Sequence, residues 1–369
     1  MKLIFGVLVA MVFLALGADA AESIRQPNVS ADALFLHRRS NFGRDESGTT
    51  RNGLDLREAE IAFYADVDPY SNLNLLLSLH PEYTLNSTTG KVEQAWKFEP
   101  EELYVQTNQI PGTTVKVGKF KAAFGKHNTL HTHSFPFVDA PVTNEQLLGG
   151  EGINDVGLSA AVLLPTPWFL ELTGQYLRGE GENAQFNSPA PTDFVGVARL
   201  RNLWDLSDAL TFELGGSYAR GNNSLRANTA MAGTDLTFKW RPSGGSKALV
   251  FAAEGIQRRV GQPGASMDEK GRGWNVWGKY QFTQRWAVLA RQDVLRVRGA
   301  DSAVNANALE NRITRKYTAG LIFVPTEFSS LQAEYSLASG PVNATTGHVE
   351  RKYYLQANFA IGAHPAHAY

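Results

Sequence analysis

Three histidines and an aspartate lie close together in the chain: His127, His131, His133 and Asp139. All four are residue types that ligate zinc, which takes about four such ligands. His131 and His133 are two residues apart, so on an extended segment both imidazoles point the same way and can reach one ion. Ser134 stands beside His133. A nucleophilic serine needs its hydroxyl against an imidazole that a third group orients. Adjacent residues of an extended segment face opposite ways, so this pair does not form. No Gly-x-Ser-x-Gly string occurs either. The expectation is no enzymatic activity and no obligatory cofactor, with Zn2+ at His131 and His133 as the metal alternative. The plainer role for these histidines is hydrogen bonding between their segment and whatever surrounds it.

A second set of chemistry-bearing residues is spread over the chain: Glu171, Arg199, Arg201, Glu213, Lys239, Glu254, Lys279, Arg291, Lys316, Glu334 and Lys352. Each sits in a stretch of about ten residues in which apolar and polar side chains alternate. Leu210, Phe212, Leu214, Gly216 and Tyr218 fall on one face, and Thr211, Glu213, Gly215 and Ser217 on the other. A period of two is that of a β-strand, oily on one side and wet on the other. The wet rows tend to offer Glu on one strand and Arg or Lys on the next, which predicts cross-strand charge pairs.

The pattern recurs about sixteen times, with short and long connections alternating. Aromatics mark the ends of the oily rows, as in Trp168–Tyr176, Trp274–Phe282 and Tyr353–Ile361. Strands of this length, alternation and girdle pattern predict an all-β, antiparallel transmembrane β-barrel with short periplasmic turns and long outside loops. Residues 81–98, 122–152 and 220–230 read as long loops. The segment 122–152 is the longest and follows the fifth strand. Phe135, Phe137, Val138, Leu147 and Leu148 make it too apolar to stand in water, so it is expected to fold into the lumen as a constriction. Its polar residues Lys126, His127, His131, His133, Asp139 and Glu145 would then border the passage. The mixture of Lys126 with Asp139, Glu145 and Glu151 predicts no strong choice of ion sign. Gly149-Gly150-Glu151-Gly152 permits a sharp return.

The 369 residues are 43% hydrophobic and 19% charged, with net charge −1, and contain 34 glycines and no cysteine. The balanced charge argues against a nucleic-acid partner. Outside the first twenty residues no apolar run reaches the length of a membrane helix. Residues 1–20 read as a signal peptide, with Lys2, an apolar core from Leu3 to Leu16 and a small-x-small site at Ala18-Asp19-Ala20. Residues 21–369 then form a single barrel. An even strand count puts both termini in the periplasm of a Gram-negative bacterium. The expected partners are outer-membrane lipid, small hydrophilic solutes and the outer-membrane assembly machinery, which reads the last aromatic strand. A homotrimer and a monomer are both compatible with this reading.

Val117-Gly118-Lys119-Phe120-Lys121 followed by Phe124-Gly125 resembles a strand motif of the phosphate-selective porins O and P. The His-x-His-x-Phe-x-Phe-Val-Asp-Ala-Pro segment and the tail Gly362-Ala363-His364-Pro365-Ala366-His367 resemble a proteobacterial outer-membrane family. Some of its members are labelled zinc-regulated TonB-dependent outer membrane receptors. The resemblance implies a porin-like channel for passive diffusion of small solutes or ions. The alternative it implies is zinc- or divalent-cation-linked uptake using the loop histidines.

Overall fold

The computed structural model describes residues 27–42, 52–86, 88–89, 91–107, 109–181, 185–264, 268–299, 312–340 and 349–362. The expected signal peptide and the tail histidines His364 and His367 lie outside these residues. Sixteen strands carry the chain. The first half comprises β1 (Asn28–Ser40), β2 (Gly53–Asp68), β3 (Ser71–Leu85), β4 (Val92–Thr107), β5 (Thr113–Lys121), β6 (Asn154–Leu163), β7 (Phe169–Leu177) and β8 (Val195–Ser207). The second comprises β9 (Leu210–Asn222), β10 (Asn228–Trp240), β11 (Ala248–Val260), β12 (Glu269–Gln281), β13 (Trp286–Arg298), β14 (Arg312–Thr326), β15 (Ser329–Ser339) and β16 (Glu350–Gly362). One short helix, α1 (Val142–Leu148), lies between β5 and β6.

Every strand pairs antiparallel with its sequence neighbours, and β1 pairs with β16 to close the barrel. The seam runs from Ser30 opposite Gly362 to Ser40 opposite Lys352. Closure leaves no edge strand in the ring, which is what a spanning sheet in lipid requires. The strands alternate as their sequences dictate. On β9 Glu213, Gly215 and Ser217 are buried inside, while Leu214 and Tyr218 are exposed outside. The outer face carries exposed Phe238, Leu321, Tyr353 and Phe359. Aromatic rings pair across strands near the short turns, Trp204 and Phe238 stacked on Phe212 and Trp286 tilted on Phe323, with centroids 4.4–5.5 Å apart. Such pairs contribute about 1 kcal/mol each beyond the area they cover.

Two of the expected long loops are mostly strand. Residues 81–98 belong largely to a β3–β4 hairpin that extends beyond its neighbours. The β2 partner stops at Leu79 and the β5 partner begins at Leu103, so Pro81 faces a free edge on which no donor is missed. Residues 220–230 shrink to a tight connection, because Asn223 Oδ1 accepts from the amides of Leu225 and Ala227 at 3.0 and 3.1 Å. An asparagine that bonds its own downstream backbone replaces a loop with a turn.

Candidate functional site

The segment between β5 and β6 enters the barrel. It bonds to β2, β4, β7, β9 and each of β11–β16, and only the interior of a closed barrel can offer all these partners. Its entry needs glycine. Gly125 has φ +63°, and a Cβ there would lie 2.8 Å from Glu254 Oε1. That explains the Phe124-Gly125 spacing: the phenylalanine is buried while the next residue presses its backbone on a wall carboxylate. The return turns at Gly149 and Gly152, with φ +97° and +66°. Asn128 ties entry to exit, donating to the carbonyls of Ala122 and Ile153 and accepting from the Ile153 amide at 2.7 Å.

On one side the loop is sealed to the wall. Glu254 accepts the amides of Lys126 and His127 at 2.9 and 3.0 Å and the Asn144 side chain at 2.6 Å. Arg258 donates to the carbonyls of Gln146 and Leu147 at the end of α1, where free carbonyls favour a cation. Asp139 is gripped by Arg291 at 2.6 Å, by Lys316, and by the Tyr354 hydroxyl at 3.1 Å. Burial opposes charge on Asp139, but Lys316 and Arg291 outweigh it and hold the carboxyl well below the usual range. Glu334 accepts the Val138 amide at 2.9 Å, and Gln332 donates to the Pro136 carbonyl at 3.1 Å.

Apolar side chains fill the rest of this side. Phe137 packs edge-on against Trp277 at 5.8 Å, in a cluster with Ala252, Ala287, Leu289 and Ile322. Phe124, Val142, Leu147 and Leu148 pack against Met231, Ile256 and Leu295. These wall residues share the inner rows with the charged ones. The expected polar lumen lining is therefore corrected in part: where the loop docks, apolar residues interrupt the charged inner rows. His127 is buried there, its ring tilted against Phe135 with centroids 4.5 Å apart. Burial, aided by the Arg291 and Lys121 charges, pushes its imidazole down to about 3.

On the other side a cavity of about 540 Å³ remains between the loop and β2–β9. Its charged lining includes Lys116, Lys121, Lys126, Arg199 and Arg201 against Glu102, Glu171 and Glu213. Glu213 holds Lys126 at 3.1 Å and Arg201 at 3.2 Å, and Arg199 forks onto Asp235 at 2.7 and 2.9 Å.

The histidines border this cavity. His131 is bracketed by Glu101 at Nδ1 and by Glu102 at Nε2, the latter 3.1 Å away. Two consecutive glutamates reach the same imidazole because β4 bulges there: Leu76 faces Glu102, but Leu77 already faces Pro100, leaving Glu101 as the extra residue. A bulge turns adjacent side chains to one face. Burial disfavours a charged His131, yet the hydrogen bonds to Glu101 and Glu102 prevail and push it up to about 10. His133 Nδ1 meets Glu60 at 2.8 Å, and the two histidine rings stack 6.0 Å apart. The ligand-type atoms of Glu60, Glu101 and His131 lie within 4.8 Å of one another. Ser134 Oγ donates to the His131 main-chain carbonyl at 2.8 Å, not to an imidazole.

The four ligand types of the loop are not brought together. His127 and Asp139 belong to the sealed side, and only His131 and His133 share the open one. Among the wall residues expected to border the passage, Glu171, Arg199, Arg201 and Glu213 do line the cavity. Glu254, Arg291 and Glu334 instead face inward under the loop and serve as its anchors, as does Lys316. Lys239 and Lys279 are half-buried on inner rows, and Lys352 pairs with Glu350 of its own strand at 3.1 Å. Glu145 is exposed on the free side of α1. The expected alternation of cross-strand pairs holds for Arg201 and Glu213, while the other anchoring carboxylates and cations are engaged by the loop.

This architecture is shared with solved structures. The outer membrane channel DcaP of Acinetobacter baumannii matches with TM-score 0.61 at 11% identity, over 94% of this chain and all of that one. An anion-selective porin from Comamonas acidovorans matches with TM-score 0.57 at 11% identity, over 91% and 99%. The outer-membrane protein OmpT of Vibrio cholerae matches with TM-score 0.58 at 9% identity, over 93% and 99%. The chain has the porin fold. No family model matches the sequence. An uncharacterised protein of Aquifex aeolicus (strain VF5) is 27% identical over 356 residues, spanning 86% of this chain and 71% of that protein.

Proposed function

We propose that the protein is an outer-membrane channel through which small hydrophilic solutes or ions diffuse passively. The observation that carries this is the charged cavity between the loop and β2–β9, beside a sealed sector that fixes the loop in place. Residues 1–20 direct export, and both termini face the periplasm. Solutes would pass five Lys and Arg side chains and three carboxylates, with Glu213 and Asp235 already neutralising part of that positive charge. This balance favours anions weakly and does not reproduce a phosphate filter, so the phosphate-selective resemblance extends to the channel alone. Purified protein in a planar bilayer should give stepwise conductance, and deletion of residues 126–148 should raise it. Silent bilayers from folded protein would end the proposal.

A second reading is divalent-cation binding in the cavity wall. Glu60, Glu101 and His131 supply three ligand atoms of the right types within one coordination sphere's reach, and His133 supports Glu60. Zinc suits this carboxylate–imidazole set. The ion would displace the proton that His131 now shares with its glutamates. Calorimetry with zinc should show binding that His131→Ala abolishes; no heat with the unmutated protein would dismiss this reading and leave the channel reading intact.

A further inference from the structure

The outer face near the long loops carries a dense set of cations. On one rung Arg259 stands opposite Lys270, and Lys270 opposite Arg298. On the next, Arg272 stands opposite Arg296. Arg315 lies beside them, opposite Val294. All occupy the outward parity of β11–β14, the one that also presents Trp274, Val288 and Leu321. Like charges directly opposite on paired strands destabilise a sheet. The arrangement has no evident structural benefit to set against that cost.

Among the described residues only one of these charges is paired. Arg259 is paired with Asp268 at 2.5 Å. Lys270, Arg272, Arg296, Arg298 and Arg315 have no carboxylate within ion-pair distance among the described residues. The inner neighbour Arg258 already holds Glu269, so that carboxylate is turned to the lumen.

The same surface is hollowed. Two adjoining depressions of about 570 and 690 Å³ share Ala232, Gln257, Arg272 and Arg296. Their floor is Ala230, Ala232, Thr234, Gly255 and Gly273, and Tyr218 and Trp274 stand among the lining residues. Along β12 the order from the membrane centre outward is Val276, Trp274, Arg272 and Lys270, while Arg315 of β14 shares the Trp274 rung through Val294. Trp marks the level where acyl chains give way to headgroups. The hollow thus begins among the cations, with Ala230 opposite Arg259 and Ala232 opposite Gln257, and runs inward to Thr234 and Gly255 on the Trp274 rung, where the chain below a bound headgroup would lie.

We propose that this face binds a phosphorylated anionic lipid of the outer leaflet, with an acyl chain in the hollow and phosphates on the arginines. Guanidinium forks match phosphate oxygens bidentately. The cations span four neighbouring strands, about 14 Å at the ordinary strand spacing. One phosphate cannot bridge that width, so a headgroup with two phosphates fits best. A second copy of this chain is the poorer occupant, because it would have to bury these unmatched charges. The proposal is independent of what passes through the lumen.

The test uses the full chain in nanodiscs of phosphatidylcholine, with or without a minor fraction of bis-phosphorylated lipid A, monophosphorylated lipid A or phosphatidylglycerol. Lipid retained after detergent extraction is counted by native mass spectrometry. Bis-phosphorylated lipid A should be retained at least about tenfold better than phosphatidylglycerol. Combined Arg272→Gln, Arg296→Gln and Arg315→Gln should abolish that advantage. Arg285→Gln at the short-turn end should not. Folding of each variant is read from heat-modifiable gel mobility. As a check free of mutations, raised salt should lower retention by the unmutated protein. Equal retention of all the lipids, retention unchanged in the folded triple variant, or a protein oligomer on this face that lipid A does not displace would each overturn the proposal.

Discussion

The inward loop meets two unlike walls. Against β11–β16 it is fixed by buried charge and packed dry around Phe137 and Trp277. Against β2–β9 it borders a charged cavity and touches the wall at separate points, through His131, His133 and the Lys126–Glu213 pair. The two sides use the same residue types. The difference is that on the sealed side each loop group finds a wall group of complementary kind, whereas on the open side the wall charges mostly satisfy one another. Sealing one sector holds the loop still, and leaving the other unfilled keeps a route beside it.

Breaking the sealed side should have the largest effect. Asp139→Ala leaves Lys316 buried without its carboxylate and Arg291 with Asp293 alone, a loss of up to about 3–5 kcal/mol. Single-channel conductance should rise and the loop should become cleavable by protease; unchanged values would mean that the two walls are equivalent. Trp277→Ala removes the apolar half of the same seal, costing about 3 kcal/mol. It should lower the urea midpoint of the vesicle-inserted barrel without opening the loop fully, because the Asp139 anchor persists.

Acid should release the anchor without mutation. A carboxyl held below its ordinary pKa contributes its full stability above about pH 4 and loses it as pH falls through the folded value. Protease protection of the loop should therefore be flat between about pH 5 and 8 and decline only in stronger acid. Loosening on going from pH 5 to 8 would show that another group governs docking. The smallest effect belongs to the open side. Arg201→Gln removes a partly exposed pairing with Glu213, worth less than about 1 kcal/mol. Stability should hold, while reversal potentials under a salt gradient should shift toward cations; a large stability loss would place Arg201 with the anchors.

The barrel is legible in the sequence because alternation with a period of two is a local property, and Leu214 or Tyr353 announces its face without reference to any other strand. The loop's inward fold is legible too, since Phe137 and Leu147 need cover. The partition of the lumen is not. It depends on apolar residues interrupting polar rows, such as Val195 and Val197 ahead of Arg199, or Ala287 and Leu289 ahead of Arg291. Those breaks in parity are present in the sequence and were the available signal. The carboxylates around His131 were harder. Glu101 and Glu102 face the same way only because of a bulge, and a strict alternation assigns them to opposite faces.

Arg57 of β2 donates both to the Val138 carbonyl of the loop and to Gln356 of β16 at 2.8 Å, reaching past β1 to do so. The first and last strands meet at the join, and that join cannot form until the chain is complete. The buried loop is thus also a clasp laid across the last gap to close. Assembly then has a direction: the plug of side chains from mid-sequence is seated against partners that arrive at its very end, so the barrel locks and its interior takes shape in one event.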